Sequence, residues 1–228
     1  MSQKQTKEAL DRDGYVIITG ILTQEEIDFY KQRVYDWQSK IPGYKSKHKK
    51  ISPHGIHKTW EAGHTDFAWG IRTHPNVLKI FKDLWGVQDD KELAVSYDGS
   101  CYIPKDHTGK DNVWTHTDQA PDQKGIHCYQ GLVSLTDNKE RTLVVYEGTH
   151  LEHEKYFRDR NITGSSRWNK IELSYLNNIK DKKRVLEVPA GSLVLWESRT
   201  FHQNQYGKPG SEERIVQYVS YLSKNDIK

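Results

Sequence analysis

The sequence is poor in the features that mark several large protein classes. Cys101 and Cys128 are its only cysteines, too few for a disulfide framework or a four-cysteine zinc site. That usage fits a reducing compartment, and a cytoplasmic protein is expected. The longest strictly apolar runs, at 15–18, 143–146 and 193–196, are four residues long, so no segment reads as a bilayer-spanning helix and no membrane partner is expected. The opening MSQKQTKEAL lacks the apolar stretch of a secretory signal. Charge of one sign is not in large excess: 34 Lys+Arg face 31 Asp+Glu, a formal +3, which argues against a nucleic-acid partner. Repeats and low-complexity tracts are absent.

What is present suits one globular domain spanning 1–228. Phe, Trp and Tyr total 25 and recur along the whole chain, which excludes global disorder. In the N-terminal part, about 1–90, a short strand is predicted at 14–19. A helix is predicted from a capping box in which Thr23 and Glu26 satisfy each other's backbone, with Ile27, Tyr30, Val34 and Trp37 on one face as far as about Gln38. A second helix is bracketed by Pro75 and Gly86. From about 91 to 223 the texture becomes β: segments at 92–97, 113–116, 127–135, 142–146, 184–188, 192–196 and 214–222 are rich in β-branched and aromatic residues and separated by turns. A polar, helical insertion is expected at 151–179. Seven short strands in one block imply a sandwich or short barrel in a mainly β, α+β chain.

Eleven histidines make metal chemistry worth testing. His116 and Asp118 are two residues apart, and side chains at that spacing share a face only on an extended backbone. Two histidines and one carboxylate form the facial triad of non-haem iron(II) oxygenases, so a further His is needed, and His202 is the candidate. A His-x-Asp pair alone is weak: with 11 His and 17 Asp in the chain, chance supplies about one. A second copy indeed occurs, His64-Thr65-Asp66, between two helical stretches, and it reads as a loop or helix cap that contributes at most a wall to the site. Arg214 opens the last strand with the parity of Val216 and Tyr218, so it is expected inside, where a guanidinium needs an anion. No acid occupies an obvious inward position beside it, and a bound dicarboxylate would supply one.

These residues lie in motifs that resemble the phytanoyl-CoA dioxygenase-like branch of the Fe(II)/2-oxoglutarate oxygenases. The resemblance runs from DGYVIITGILTQEEID near the N-terminus, through WTHTDQAP and TLVVYEGTH, to PAGSLVLWESRTFHQN, nearly the whole chain. Glu147 stands where the family usually has proline. The resemblance implies a double-stranded β-helix (jelly-roll, cupin-like) core with the N-terminal helices packed on one sheet. It assigns His116, Asp118 and His202 to Fe(II) as metal ligands and catalytic centre. It assigns Arg214 to the distal carboxylate of the cosubstrate 2-oxoglutarate, with O2 as the oxidant. Asn204 occupies the position two after the distal histidine, where the family often has Ser or Thr, and is a further cosubstrate contact. Gln130 is a candidate contact for cosubstrate or substrate, and Trp114, on the face of His116, a candidate pocket wall.

Asp118 argues for hydroxylation, because halogenases of this class carry a small residue there. Ser220 stands where AlkB-type nucleic-acid demethylases have a second Arg, and Arg214 itself differs from the Lys of prolyl hydroxylases and JmjC proteins. The reading is therefore a dioxygenase hydroxylating a C–H bond of a small molecule, with release of succinate and CO2. Two competitors are a catalytically silent jelly-roll protein that binds metal or 2-oxoglutarate, and a cupin-like metalloenzyme with no use for Arg214. The segment 44–58, with five Lys, three His and no acid, reads as a solvated loop or as a rim favouring a small polar or anionic substrate.

Overall fold

Helix boundaries in the first half follow from side chains that satisfy the end groups of each helix. A computed structural model describes residues 2–44, 55–109 and 111–224. Helix α1 (Gln3–Asp13) starts at a Ser2/Gln5 capping box and stops at Gly14, whose φ of 82° is the left-handed value that suits glycine. Strand β1 (Tyr15–Ile18) follows. Helix α2 (Gln24–Ser39) carries the expected Thr23/Glu26 box. After β2 (Ile56–His57), helix α3 (Asp66–Arg72) is capped by Thr65, and α4 (Pro75–Trp85) lies between Pro75 and a left-handed Gly86 as its sequence predicts. No extended apolar pattern in the sequence marks α1 or α3. Helix α1 buries only Thr6 and Leu10, too little for a visible apolar period, and α3 has seven residues.

The remaining elements are β3 (Leu93–Val95), β4 (Ser100–Ile103), β5 (His116–Thr117), β6 (Tyr129–Ser134), β7 (Leu143–Tyr146), α5 (His153–Arg158), β8 (Asn169–Lys170), α6 (Leu173–Asn178), β9 (Lys183–Val185), β10 (Leu193–Glu197), β11 (His202–Asn204) and β12 (Arg214–Ser223). They form two antiparallel sheets. The larger has the order β1-β10-β6-β12-β4-β2, with β3 also on β12; the smaller has the order β8-β5-β11-β7-β9. The predicted strand at 113–116 is only two residues long and begins at His116. Strands β2, β4, β8 and β11 were not predicted; three of them are two or three residues long. The N-terminal part supplies β1 and β2 to the larger sheet, besides its helices. The 151–179 insertion holds α5 and α6, as expected of a helical segment, and also β8.

Alternation along the strands sorts side chains into two layers. Val133, Leu193, Leu195, Ile215 and Val219 face the helices and pack in one cluster with Leu10, Ile27, Val34, Phe67, Ile71, Val77 and Phe81. Their neighbours Leu132, Val194, Trp196 and Val216 turn to the other side and cluster with Leu143 and Val145 of the smaller sheet. This two-layered β arrangement with helices on the larger sheet is the expected jelly-roll class. Phe81 has no exposed surface; burying such a ring is worth roughly 1.5–3 kcal/mol. Beside the apolar cluster around Leu143 and Val145, the gap between the sheets also holds the polar side chains of the candidate site. Among the described residues, no helix is long and apolar enough to cross a membrane.

Candidate metal centre

Strands β5 and β11 are hydrogen-bonded neighbours, and their register sets His202 directly opposite His116. Residues so paired on one face sit side by side, and the two imidazoles are 4.4 Å apart between ring centres. Asp118 follows β5 immediately, and its backbone N–H donates to Ser198 O at 3.1 Å, which ties it to the turn leading into β11. Its carboxylate reaches both rings: Oδ1 lies 3.5 Å from His116 Nε2 and Oδ2 lies 3.4 Å from His202 Nε2. Among the described residues these three form the one group able to hold a metal ion, with candidate ligand atoms all within 4.8 Å of one another.

The far sides of the rings fix their orientation. His116 Nδ1 is 3.2 Å from Trp114 O, and His202 Nδ1 is 2.9 Å from Thr200 O. A carbonyl can only accept, so each Nδ1 carries a proton and each Nε2 is turned toward the carboxylate. This is the arrangement by which metal-binding histidines are aimed. Burial pulls His116 below the usual histidine range, with His202 adding to the effect, and so favours the neutral, ligating form. Burial alone would raise the Asp118 carboxyl, but hydrogen bonding with His116 and His202 outweighs it and holds the group well below the usual carboxylate range. The site therefore offers two imidazole nitrogens and one carboxylate.

The larger sheet supplies the opposite wall. Arg214, at the start of β12, is 1 % exposed. Its Nη1 donates to Asn204 Oδ1 at 2.7 Å, and Asn204 Nδ2 donates to Tyr218 Oη at 2.7 Å. Arg214 Nε is buried with no partner, and among the described residues no carboxylate pairs with the guanidinium. Gln130 of β6 donates from Nε2 to Asp118 Oδ2 at 2.9 Å and accepts from Trp196 Nε1 at 2.9 Å.

A cavity of about 840 Å³ opens onto the triad. Its lining includes His116, Asp118, His202, Gln130, Asn204 and Tyr218, and aromatic walls come from Tyr97, Trp114, Trp168 and Trp196. Trp114 and Trp168 flank the His116 ring at 4.9 and 5.3 Å, each within 30° of parallel. Trp168 precedes β8, whose Lys170 pairs with His116, so the insertion delivers an indole to the metal-capable group. Tyr97 and Trp168 are 61 % and 51 % exposed, unusual for large rings beside a cavity and suited to contact with a ligand. Arg72 is wholly buried and donates to the carbonyls of Gly63 and Asp98, both cavity residues. At Gly99 a Cβ would lie 1.7 Å from His57 O, so the wall closes there only on glycine.

Of the six residues singled out from the sequence, His116, Asp118, Gln130, His202 and Asn204 line the cavity, as does Trp114, while Arg214 lies behind the lining and joins it through Asn204. His64 and Asp66 remain outside the cavity lining. Of the lysine-rich 44–58 segment, 45–54 lies outside the described residues; His57 and Lys58 line the cavity. Trp168, Trp196 and Tyr97 were missed as site residues. Only the inward parity of β12 pointed to Tyr218.

Residues 10–205 match the model of one protein family, Phytanoyl-CoA dioxygenase (PhyH). Among curated proteins, "Ava biosynthesis cluster protein O" of Aspergillus versicolor is 25% identical over 241 residues, covering 96% of this chain and 77% of that protein. Among solved structures, the chain is similar to the non-heme alpha ketoglutarate dependent carbocyclase SnoK from nogalamycin biosynthesis (TM-score 0.64, 18% identity, 98% of this chain and 84% of that one). It is also similar to EctD from S. alaskensis, solved with 2-oxoglutarate and 5-hydroxyectoine (TM-score 0.67, 14% identity, 99% and 77%). At these identities the structural likeness speaks to the jelly-roll fold.

Proposed function

The chain belongs to the phytanoyl-CoA dioxygenase family, and from that premise we propose that it is an Fe(II)- and 2-oxoglutarate-dependent dioxygenase that hydroxylates a C–H bond of a small molecule. The observation that carries this reading is the convergence of two Nε2 atoms and one carboxylate on a single point, with both Nδ1 atoms tied to carbonyls. Two imidazoles and a carboxylate are a donor set that fits iron(II) and leaves coordination positions open. The cosubstrate fits as well: Arg214 is a buried cation without a counter-ion, and the distal carboxylate of 2-oxoglutarate would supply one.

In this reading His116, Asp118 and His202 hold the metal. Bound iron, with 2-oxoglutarate and O2, supplies oxidising chemistry whose balance is 2-oxoglutarate + O2 + R–H → succinate + CO2 + R–OH. Arg214 anchors the far end of the cosubstrate and so sets the direction of its keto acid end, and Asn204, whose Oδ1 accepts from Nη1, helps to aim the guanidinium. Tyr218, through Asn204 Nδ2, holds the amide with its oxygen toward Arg214. Trp114 and Trp168 shield His116 from bulk water. Asp118 is a carboxylate rather than a small residue, which favours hydroxylation over halogenation. The substrate is a small molecule that enters between Tyr97 and Trp168, and the lysines of 44–58 favour a polar or anionic one. The whole of 1–228 acts as a single oxygenase domain, in the cytoplasm.

The test is conversion of 2-oxoglutarate to succinate by protein loaded anaerobically with Fe(II) and then exposed to air, with His202→Ala as control. Metal-dependent succinate formation, lost in His202→Ala, is expected. Metal-loaded protein that neither turns over nor binds 2-oxoglutarate would contradict the reading and favour a silent metal-binding jelly roll. Charge reversal at Lys47, Lys49 and Lys50 with no change in turnover of an identified substrate would remove the anionic-substrate element.

A further inference from the structure

Gln130 sits on the larger sheet, yet its side chain crosses the inter-sheet gap to a carboxylate that follows a strand of the smaller one. Its cross-strand partner on β10 is Trp196, and the two are in direct register. The indole Nε1–H is a donor only. It can therefore meet Gln130 only at Oε1, and this fixes which way the amide faces. With Oε1 on Trp196 at 2.9 Å, the amide nitrogen must point at Asp118, where it donates to Oδ2 at 2.9 Å. Trp196 is 3 % exposed and also packs beside His202, with ring centres 5.2 Å apart, so it has no freedom to release the amide. Both halves of the Gln130 amide are engaged by protein. Oδ1 of Asp118 has no such amide donor.

We propose that Gln130, oriented by Trp196, is a positioning residue for the metal centre: it reserves Oδ2 of Asp118 and leaves Oδ1 as the oxygen offered to the ion. The reason is chemical. A carboxylate free to rotate can grip a metal through both oxygens and occupy a position needed by another ligand. One whose second oxygen is held by an amide binds through one oxygen and keeps the remaining positions open. Outer partners of this kind tune both affinity and geometry. The inference rests on the metal-site reading above, and it gives Gln130 a role distinct from contact with cosubstrate or substrate.

The experiment uses Co(II), titrated anaerobically into the full-length protein, with affinity read by calorimetry and coordination by the visible ligand-field spectrum. Gln130→Leu is expected to weaken binding about 10–100-fold and to change the spectrum. Trp196→Phe keeps the ring and removes only the N–H. It is expected to move both readouts the same way by less, and the double variant should be no worse than Gln130→Leu. Trp196→Phe also keeps the inference testable if Gln130→Leu misfolds. Wild-type affinity and an unchanged spectrum in either folded single variant would overturn the proposal while leaving the metal site standing. Failure of the wild type itself to bind Co(II) would overturn the metal-site reading and this inference together.

Discussion

The tripeptide His-Thr-Asp occurs twice in this chain, at 64–66 and at 116–118, and its two copies have different fates. In the first, His64 ends a 3-10 turn and packs on the Tyr97 ring at 4.9 Å. Thr65 caps α3 by accepting from Ala68 N, and Asp66 accepts from Phe67 N and pairs with Arg33 at 3.3 Å on the surface. In the second, His116 is in a strand, Thr117 Oγ1 donates to Ser198 O, and Asp118 faces two imidazoles. The residues are the same. The difference lies in what each backbone places opposite them: solvent and a helix end in one case, His202 on a paired strand in the other. A metal-ligand spacing becomes a site when the backbone is extended and a third donor sits across it.

The largest effects should separate the two copies. His202→Ala or Asp118→Ala should weaken Co(II) or Fe(II) binding more than about 100-fold, beyond what loss of an outer partner costs. His64→Ala and Asp66→Ala should leave it within twofold. Calorimetric titration of the four variants checks this.

A further histidine sharpens the contrast between aimed and merely buried rings. His153 is fully buried, its Nε2 lies 3.2 Å from Gln119 O, and burial depresses it to about 4. Its folded value lies below its unfolded one, so between about pH 6.5 and 4 the unfolded chain binds the extra proton. The stability contributed by neutral His153 is present above about pH 6.5 and is lost as pH falls through 4. Over that window the wild type should lose about 2–3 kcal/mol more than His153→Gln in denaturant unfolding.

On the cosubstrate side, Arg214→Ala should weaken 2-oxoglutarate binding about 10–100-fold, the worth of a charge-assisted pair. Metal affinity should stay near wild type, as calorimetry on metal-loaded protein would show. The smallest effect belongs to the non-ligand copy: Thr65→Ala should cost about 1 kcal/mol of stability by uncapping α3, with no change in metal affinity.

Legibility in the sequence followed the range of the forces involved. Helices α2 and α4 were readable because a capping box and a Pro/Gly bracket act within a few residues. Strand β11 was not, because His202, Gln203 and Asn204 have no strand-like pattern; β5 and β7 on either side make them a strand. In the same way His116, Asp118, His202 and Arg214 could be named from motifs and from the family they resemble. The bridge from Gln130 to Asp118 and the placement of Trp168 beside His116 depend on how two sheets and an insertion meet, and no local pattern encodes that. Gln130 is expected from the sequence to meet cosubstrate or substrate; it does line the cavity, and its amide also bridges Trp196 and Asp118, a link that no local pattern shows.

The most direct test of the central claim is an anaerobic titration of 2-oxoglutarate into Fe(II)-loaded protein, followed by the visible charge-transfer absorption of an iron-bound keto acid. The account predicts a saturable band in the wild type and in His64→Ala, and none in His202→Ala. No band in the wild type, or a band that survives His202→Ala and vanishes in His64→Ala, would contradict it.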